Sequence, residues 1–189
     1  MASPQRQRNP VISGLSEFAS AARIVKTQAE ALHRLAGRMP ADFAAAVTMI
    51  TGCDGNVIVT GMGKAGWIGQ KISASLASTG TCSHFMHPAE AIHGDFGRIG
   101  RQDIVLALSN SGETGEMVTL LPTLEKRGIP LIAMTAKAES TLGRNASLVL
   151  DYGPTAESDH LSLAPSTSTT VMLALGDALA LTVSSKRKF

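Results

Sequence analysis

Three stretches of the sequence gather residue types suited to holding a small anion. The first is Ser109-Asn110-Ser111-Gly112-Glu113-Thr114, three hydroxyls around a glycine just ahead of a helical pattern. The first turn of a helix carries N–H groups without intrahelical partners and a partial positive charge. Such a loop is suited to a phosphate monoester. Hydrogen bonds to a charged group contribute roughly 1.5–3 kcal/mol each, so three or four would supply much of the affinity for a small phosphorylated molecule. An ordinary N-cap needs one hydroxyl; this loop has three. The second stretch, Leu163-Ala-Pro-Ser166-Thr167-Ser168-Thr169-Thr170, runs five hydroxyl residues into an apolar helix, against their helix propensity. A cap facing the same ligand accounts for that cost, and a serine-rich loop of no consequence is the plain alternative.

The third stretch, Gly61-Met-Gly63-Lys64-Ala-Gly66, spells G-x-G-x-x-G after an apolar run. A dinucleotide site would also need an acidic residue closing the second strand, and Cys82-Ser-His-Phe-Met86 has none. The P-loop pattern is absent as well. What remains is a close approach of the Gly61 and Gly63 backbone to a ligand, with Lys64 projecting toward it; the alternative is a tight turn with a solvated lysine. No cofactor is expected. His87, Glu90 and His93 lack the HExxH spacing that puts two histidines on one helical face, so no metal is expected either.

These loops need a scaffold. Apolar residues at Leu15, Phe18, Ala22, Val25, Ala29, Leu32 and Leu35 mark an amphipathic helix ended by Gly37 and Pro40, with a second helix over Asp42–Ile50. Short apolar runs then alternate with helical stretches: strands over 56–60, 81–86, 103–108, 130–135 and 147–150, and helices over 65–78, 113–127, 140–144 and 166–184. Near-continuous apolar strands separated by helices predict an α/β fold, a doubly wound five-stranded parallel sheet flanked by helices, with extra helices at the N-terminus. Ligands of such sheets bind outside the carboxyl ends of the strands, where all three stretches fall. The expected organisation is a flexible lead over 1–13, one domain over 14–185 and a basic end over 186–189. The stretch Val171–Leu181 is apolar on nearly all faces, and one sheet face cannot bury it, so a homo-oligomer through this helix is expected.

Composition narrows the class. The chain has 189 residues, 44% hydrophobic and 17% charged, which reads as one globular domain. Its net charge of +2 resides in Arg6, Arg8, Lys186, Arg187 and Lys188 at the two ends, read as solvated; the body is slightly acidic, so no nucleic-acid partner is expected. Two cysteines without CxxC spacing suit a reducing, cytoplasmic compartment. The start MASPQRQRNP has no apolar signal core. The apolar run Val171–Val183 carries Asp177 and is too short for a membrane span.

The same segments, together with His87-Pro-Ala-Glu-Ala-Ile-His-Gly-Asp95, resemble the SIS (sugar isomerase) domain family over roughly residues 12–183. Within it the chain is similar to the D-arabinose 5-phosphate isomerases, the His-Pro-x-Glu segment being the more specific part. The resemblance implies a flavodoxin-like sheet and a homo-oligomer, usually a tetramer, with active sites shared between subunits. It implies phosphate binding by Ser109, Asn110, Ser111, Thr114, Ser166, Thr167 and Ser168, and active-site roles for Lys64, His93, Glu113 and Glu157. Family isomerases continue past the last helix into a Ser-His-Pro-Gly-Gly-like segment whose histidine enters a neighbour's site, and often into paired CBS domains; the sequence here ends at Phe189.

The implied reaction moves a proton between C1 and C2 of an opened sugar through an enediol. It needs a base, a donor to the enediolate oxygen and a phosphate handle. His93 suits the base, since histidine titrates near neutrality; Glu113 and Glu157 would serve if burial raised their pKa values. Lys64 suits the donor. The rival readings are a non-catalytic phosphosugar-binding regulator and a hexulose-phosphate isomerase.

Overall fold

The apolar runs fold into five parallel strands, the three central ones covered on both faces and the two edge strands partly buried. The computed structural model describes residues 16–159, 161 and 163–189; the lead over 1–13 and the helix start at Leu15 lie outside the described residues. The strands are β1 (Val57–Gly61), β2 (Ser83–Phe85), β3 (Ile104–Leu108), β4 (Leu131–Thr135) and β5 (Leu148–Asp151), in the order β2-β1-β3-β4-β5. All residues of β1, β3 and β4 are buried. Ile104, Leu106 and Leu108 face one core, Val105 and Ala107 the other, as the two-residue period of a strand requires.

Helices α1 (Glu17–Gly37), α2 (Phe43–Thr51), α3 (Gly63–Ser78) and α7 (Thr167–Arg187) cover the first face. Helices α4 (Pro88–Ile92), α5 (Gly115–Arg127) and α6 (Thr141–Arg144) cover the second. The second strand is shorter than its apolar run because only Ser83–Phe85 pair with β1.

Three features depart from the sequence expectation. First, the chain itself buries most of α7, leaving Leu181 as its large exposed apolar residue. It packs against α1, α2 and α3, and Val171, Met172, Leu175, Leu179, Ala180 and Val183 are all enclosed. It is also longer than its apolar run: at 21 residues it is long and apolar enough to cross a membrane, but half of its most apolar window is buried inside the protein, and Asp177 pairs with Lys71. Second, α1 docks through Ala31 and Leu35, with Gln28 accepting from the Thr170 hydroxyl at 3.2 Å. The stripe Phe18, Ala22, Val25, Ala29 therefore faces outward, with Phe18 84% and Val25 66% exposed.

Third, the basic end is not a solvated tail. Lys186 and Arg187 are the last turn of α7. The Arg187 guanidinium donates to the carbonyls of Gly80 (3.1 Å), Ile50 (2.7 Å) and Thr51 (3.2 Å), and Lys186 donates to the Thr48 hydroxyl at 2.9 Å.

Candidate functional site

From β1 the chain steps to β2 on one side, and from β3 it steps to β4 on the other. The order reverses between β1 and β3, and a crevice opens there by geometry. A cavity of about 280 Å3 occupies that position. Its wall comprises Met62, Lys64 and Ala65 after β1, Leu108, Ser109, Asn110, Ser111 and Thr114 after β3, and Pro165, Ser168, Thr169 and Met172 at the start of α7.

The loop after β3 is held rigidly. The Ser109 hydroxyl accepts from Gly112 N–H at 3.0 Å and shares a hydrogen bond with the Thr114 hydroxyl at 2.9 Å. The Ser111 hydroxyl accepts from Glu113 N–H at 3.1 Å. Asn110 C=O accepts from Ala136 N–H (3.2 Å) and the Thr135 hydroxyl (3.3 Å), and Gly112 C=O accepts from Leu142 N–H at 3.0 Å. Gly112 has φ of +67°, and a Cβ there would lie 1.9 Å from Ser140 Oγ, so no other residue fits this turn. The Thr114 hydroxyl makes no capping bond to α5, so the N-terminus of α5 opens on the cavity with donors to spare.

The start of α7 is arranged differently, because it already holds an anion. Glu157 accepts from the N–H groups of Ser166 (2.8 Å), Thr167 (2.8 Å) and Ser168 (3.4 Å), and from the hydroxyls of Ser166 (3.2 Å) and Ser168. Thr167 is fully buried, its hydroxyl bonded to Ser158. Of the hydroxyl run, Ser168 and Thr169 reach the cavity wall and Ser166 and Thr167 do not; the Ser168 hydroxyl, like that of Ser166, is already engaged by Glu157.

The titratable candidates are dispersed. Lys64 is exposed and lines the cavity. Glu113 turns away and accepts from Thr141 N–H at 2.7 Å, at the start of α6. That bond lowers its pKa. For Glu157, burial works upward, but the hydrogen bonds from Ser168, Ser166 and Thr167 outweigh it and the pKa is lowered. The condition under which either glutamate would serve as base is thus not met, since both carboxylates cap helices and their pKa values are lowered. His93, the C-cap of α4, is exposed and off the cavity wall. The segment that follows it is pinned by Arg127, which donates to the carbonyls of Phe96 (3.1 Å) and Ile99 (2.6 Å) and lies over the Phe96 ring.

Gly61 and Gly63 are likewise off the wall. The glycine motif serves packing: a Cβ on Gly66 would sit 2.5 Å from the Gly61 carbonyl oxygen, so α3 can lie on β1 only where Gly66 has none. Sequence reasoning gave no role to Leu108 and Met172, which are brought to the cavity wall by packing rather than by any local pattern. It also passed over Tyr152, whose phenol donates to Asn110 Oδ1 at 2.8 Å.

A doubly wound parallel sheet with a hydroxyl-lined cavity at its switch point, a lysine beside it and an open helix start is the arrangement that suits a small phosphorylated molecule. The chain matches the SIS domain model over residues 49–182, and it belongs to that family. It is 50% identical over 170 residues to the arabinose 5-phosphate isomerase KdsD of Pseudomonas aeruginosa, covering 90% of this chain and 52% of that protein. It is 48% identical over 156 residues to the arabinose 5-phosphate isomerase GutQ of Salmonella typhimurium, covering 82% of this chain and 49% of that one. The chain thus spans about half the length of these curated relatives. Among solved structures it is similar to a protein of E. coli CFT073 in complex with arabinose 5-phosphate, with a TM-score of 0.89, 37% identity, and coverage of 93% of this chain and 95% of that one.

Proposed function

We propose that the chain is a cytoplasmic aldose–ketose isomerase that interconverts D-arabinose 5-phosphate and D-ribulose 5-phosphate. The observation that carries this is the convergence of Ser109, Ser111, Thr114, Lys64 and Ser168 on one cavity at the β1–β3 switch point. The sugar-phosphate complex of the E. coli protein, which this chain covers almost entirely, and the names of the relatives support the substrate.

The phosphate sits at the α5 start, where backbone N–H groups, the Ser111 hydroxyl and whichever of the Ser109 and Thr114 hydroxyls is left free by their mutual bond meet its charge. This holds the opened sugar with its far end toward Lys64. A base removes a proton from C1 of the ketose, leaving an enediolate whose O2 the Lys64 ammonium stabilises; the O1 proton passes to O2 and the base returns its proton to C2, which leaves an aldehyde at C1 and a hydroxyl at C2. Among the described residues no base stands on the wall of a single chain: Glu113 and Glu157 are helix caps, and His93 lies off it. His93 of a second copy is the base in this reading, and the active unit is a homo-oligomer, a tetramer by resemblance. The exposed stripe of α1 supports self-association better than α7 does.

The direct test incubates the protein with D-ribulose 5-phosphate and follows D-arabinose 5-phosphate. H93A and K64A are each expected to be inactive, while a co-expressed mixture recovers turnover through hybrid sites. Binding without turnover in the wild type would leave a non-catalytic phosphosugar module, which the lack of a base among the described wall residues favours as the second reading. No recovery in the mixture would remove the shared-site assignment.

A further inference from the structure

Asn110 lies on the cavity wall, and a primary amide there has two faces. Its Nδ2 carries two donors and its Oδ1 only acceptor lone pairs. Toward a phosphorylated ligand the first attracts and the second repels, so the wrong flip of one side chain would cost affinity. The Asn110 backbone cannot set that choice, because it is clamped through its carbonyl by Ala136 and Thr135, leaving the side chain to rotate about its own bonds.

The group that sets it comes from the end of β5. The Tyr152 phenol donates to Asn110 Oδ1 at 2.8 Å, and its ring packs against the main core. Tyr152 N–H in turn donates to Thr135 C=O at 3.1 Å, so both residues are fixed to the same point of β4. With Oδ1 occupied, Nδ2 remains without a hydrogen-bond partner among the described residues. Burial, together with the nearby Glu157 and Asp151 charges, pushes the phenol's pKa far up, so it keeps the proton that it donates to Oδ1.

We propose that Tyr152 is a positioning residue: it locks the Asn110 amide with its NH2 toward the cavity, making Asn110 a donor to an oxygen of the phosphorylated ligand. This rests on the phosphosugar reading of the cavity and adds to it a residue that does not touch the ligand.

The test measures binding of D-arabinose 5-phosphate and turnover in wild type, Y152F, N110A and Y152F/N110A. Y152F is expected to weaken binding roughly three- to tenfold, the range for one neutral hydrogen bond, with the change in KM and kcat within about twofold. In the N110A background the same substitution is expected to have no further effect, since Tyr152 acts through Asn110. Wild-type affinity in Y152F, or losses that multiply in the double variant, would overturn the proposal. A ligand-free readout separates this from the function itself. The Asn110 side-chain amide signal in a 15N correlation spectrum, identified by its disappearance in N110A, is expected to move in Y152F. An unmoved signal overturns the positioning role whether or not the sugar phosphate binds. A shifted signal in a protein that does not bind D-arabinose 5-phosphate would keep the lock, refute the phosphosugar reading and overturn the ligand half of the proposal.

Discussion

Replacing Gly66 with alanine adds a single methyl group where α3 crosses β1. Its Cβ would lie 2.5 Å from the Gly61 carbonyl oxygen, against an ordinary contact of 3.4 Å or more. Gly61 pairs with Leu108 in the sheet and cannot retreat, so the N-terminal half of α3 must lift by about 1 Å. Overpacking of this kind costs roughly 1–3 kcal/mol, offset by about 1 kcal/mol from the better helix propensity of alanine. The net loss is about 0–2 kcal/mol, a fall in Tm of up to about 8 °C for a chain of this size. Activity suffers more, because Met62, Lys64 and Ala65 on the cavity wall ride on that turn, and a displacement of about 1 Å in a positioning group is worth about a hundredfold in rate. Gly69→Ala, one turn on, is the control: its Cβ would meet only side-chain atoms of Phe85 and Val59, at 3.1 and 3.3 Å. Kinetics of isomerisation and thermal melts on both variants decide the matter. Wild-type kcat/KM in G66A, or equal losses in G66A and G69A, would refute the view that the glycine motif acts through packing.

Glu157→Gln tests the α7 cap through pH. The folded pKa of Glu157 is lowered, so its contribution to stability is complete above the unfolded value of about 4.3 and is lost as pH falls through the lower folded value. Urea melts of wild type and E157Q are expected to differ at pH 7 and to converge in acid; a constant difference would remove the cap. Arg187→Ala deletes a guanidinium that serves three carbonyls, with an expected loss of about 2–3 kcal/mol in denaturant melts, whereas a change below about 0.5 kcal/mol would return the end of the chain to solvent. Val25→Asp places a charge in the exposed α1 stripe and is expected to reduce the molecular mass seen by light scattering; an unchanged mass would move the self-association surface elsewhere.

Much of the fold was legible because its signals are local. Val57–Gly61, Ile104–Leu108 and Leu131–Thr135 are apolar runs of strand length, and their burial on both faces is what such runs mean. The Ser109–Thr114 loop could likewise be read, since it follows a strand and opens a helix. The rest depended on tertiary neighbours. Nothing in the run from Ser166 to Thr170 tells that Glu157 has already taken its N–H groups. Nothing at Phe18 or Val25 tells that α1 docks through Ala31 and Leu35 instead. The role of Gly66 was invisible without the Gly61 carbonyl across from it, and the only tyrosine in the chain drew no notice because its partner is 42 residues away.

Helix α7 is a strut from one pole of the molecule to the other. Its 21 residues span about 31 Å at 1.5 Å per residue, from Ser168 at the cavity to Arg187, bolted beside Gly80 and Ile50 where the chain enters β2 and β1. A peptide handle joined after Phe189 would emerge at the pole away from the mouth of the cavity. Protein tethered to a sensor surface by that handle would present the mouth to flowing ligand, an orientation well suited to measuring sugar-phosphate affinities.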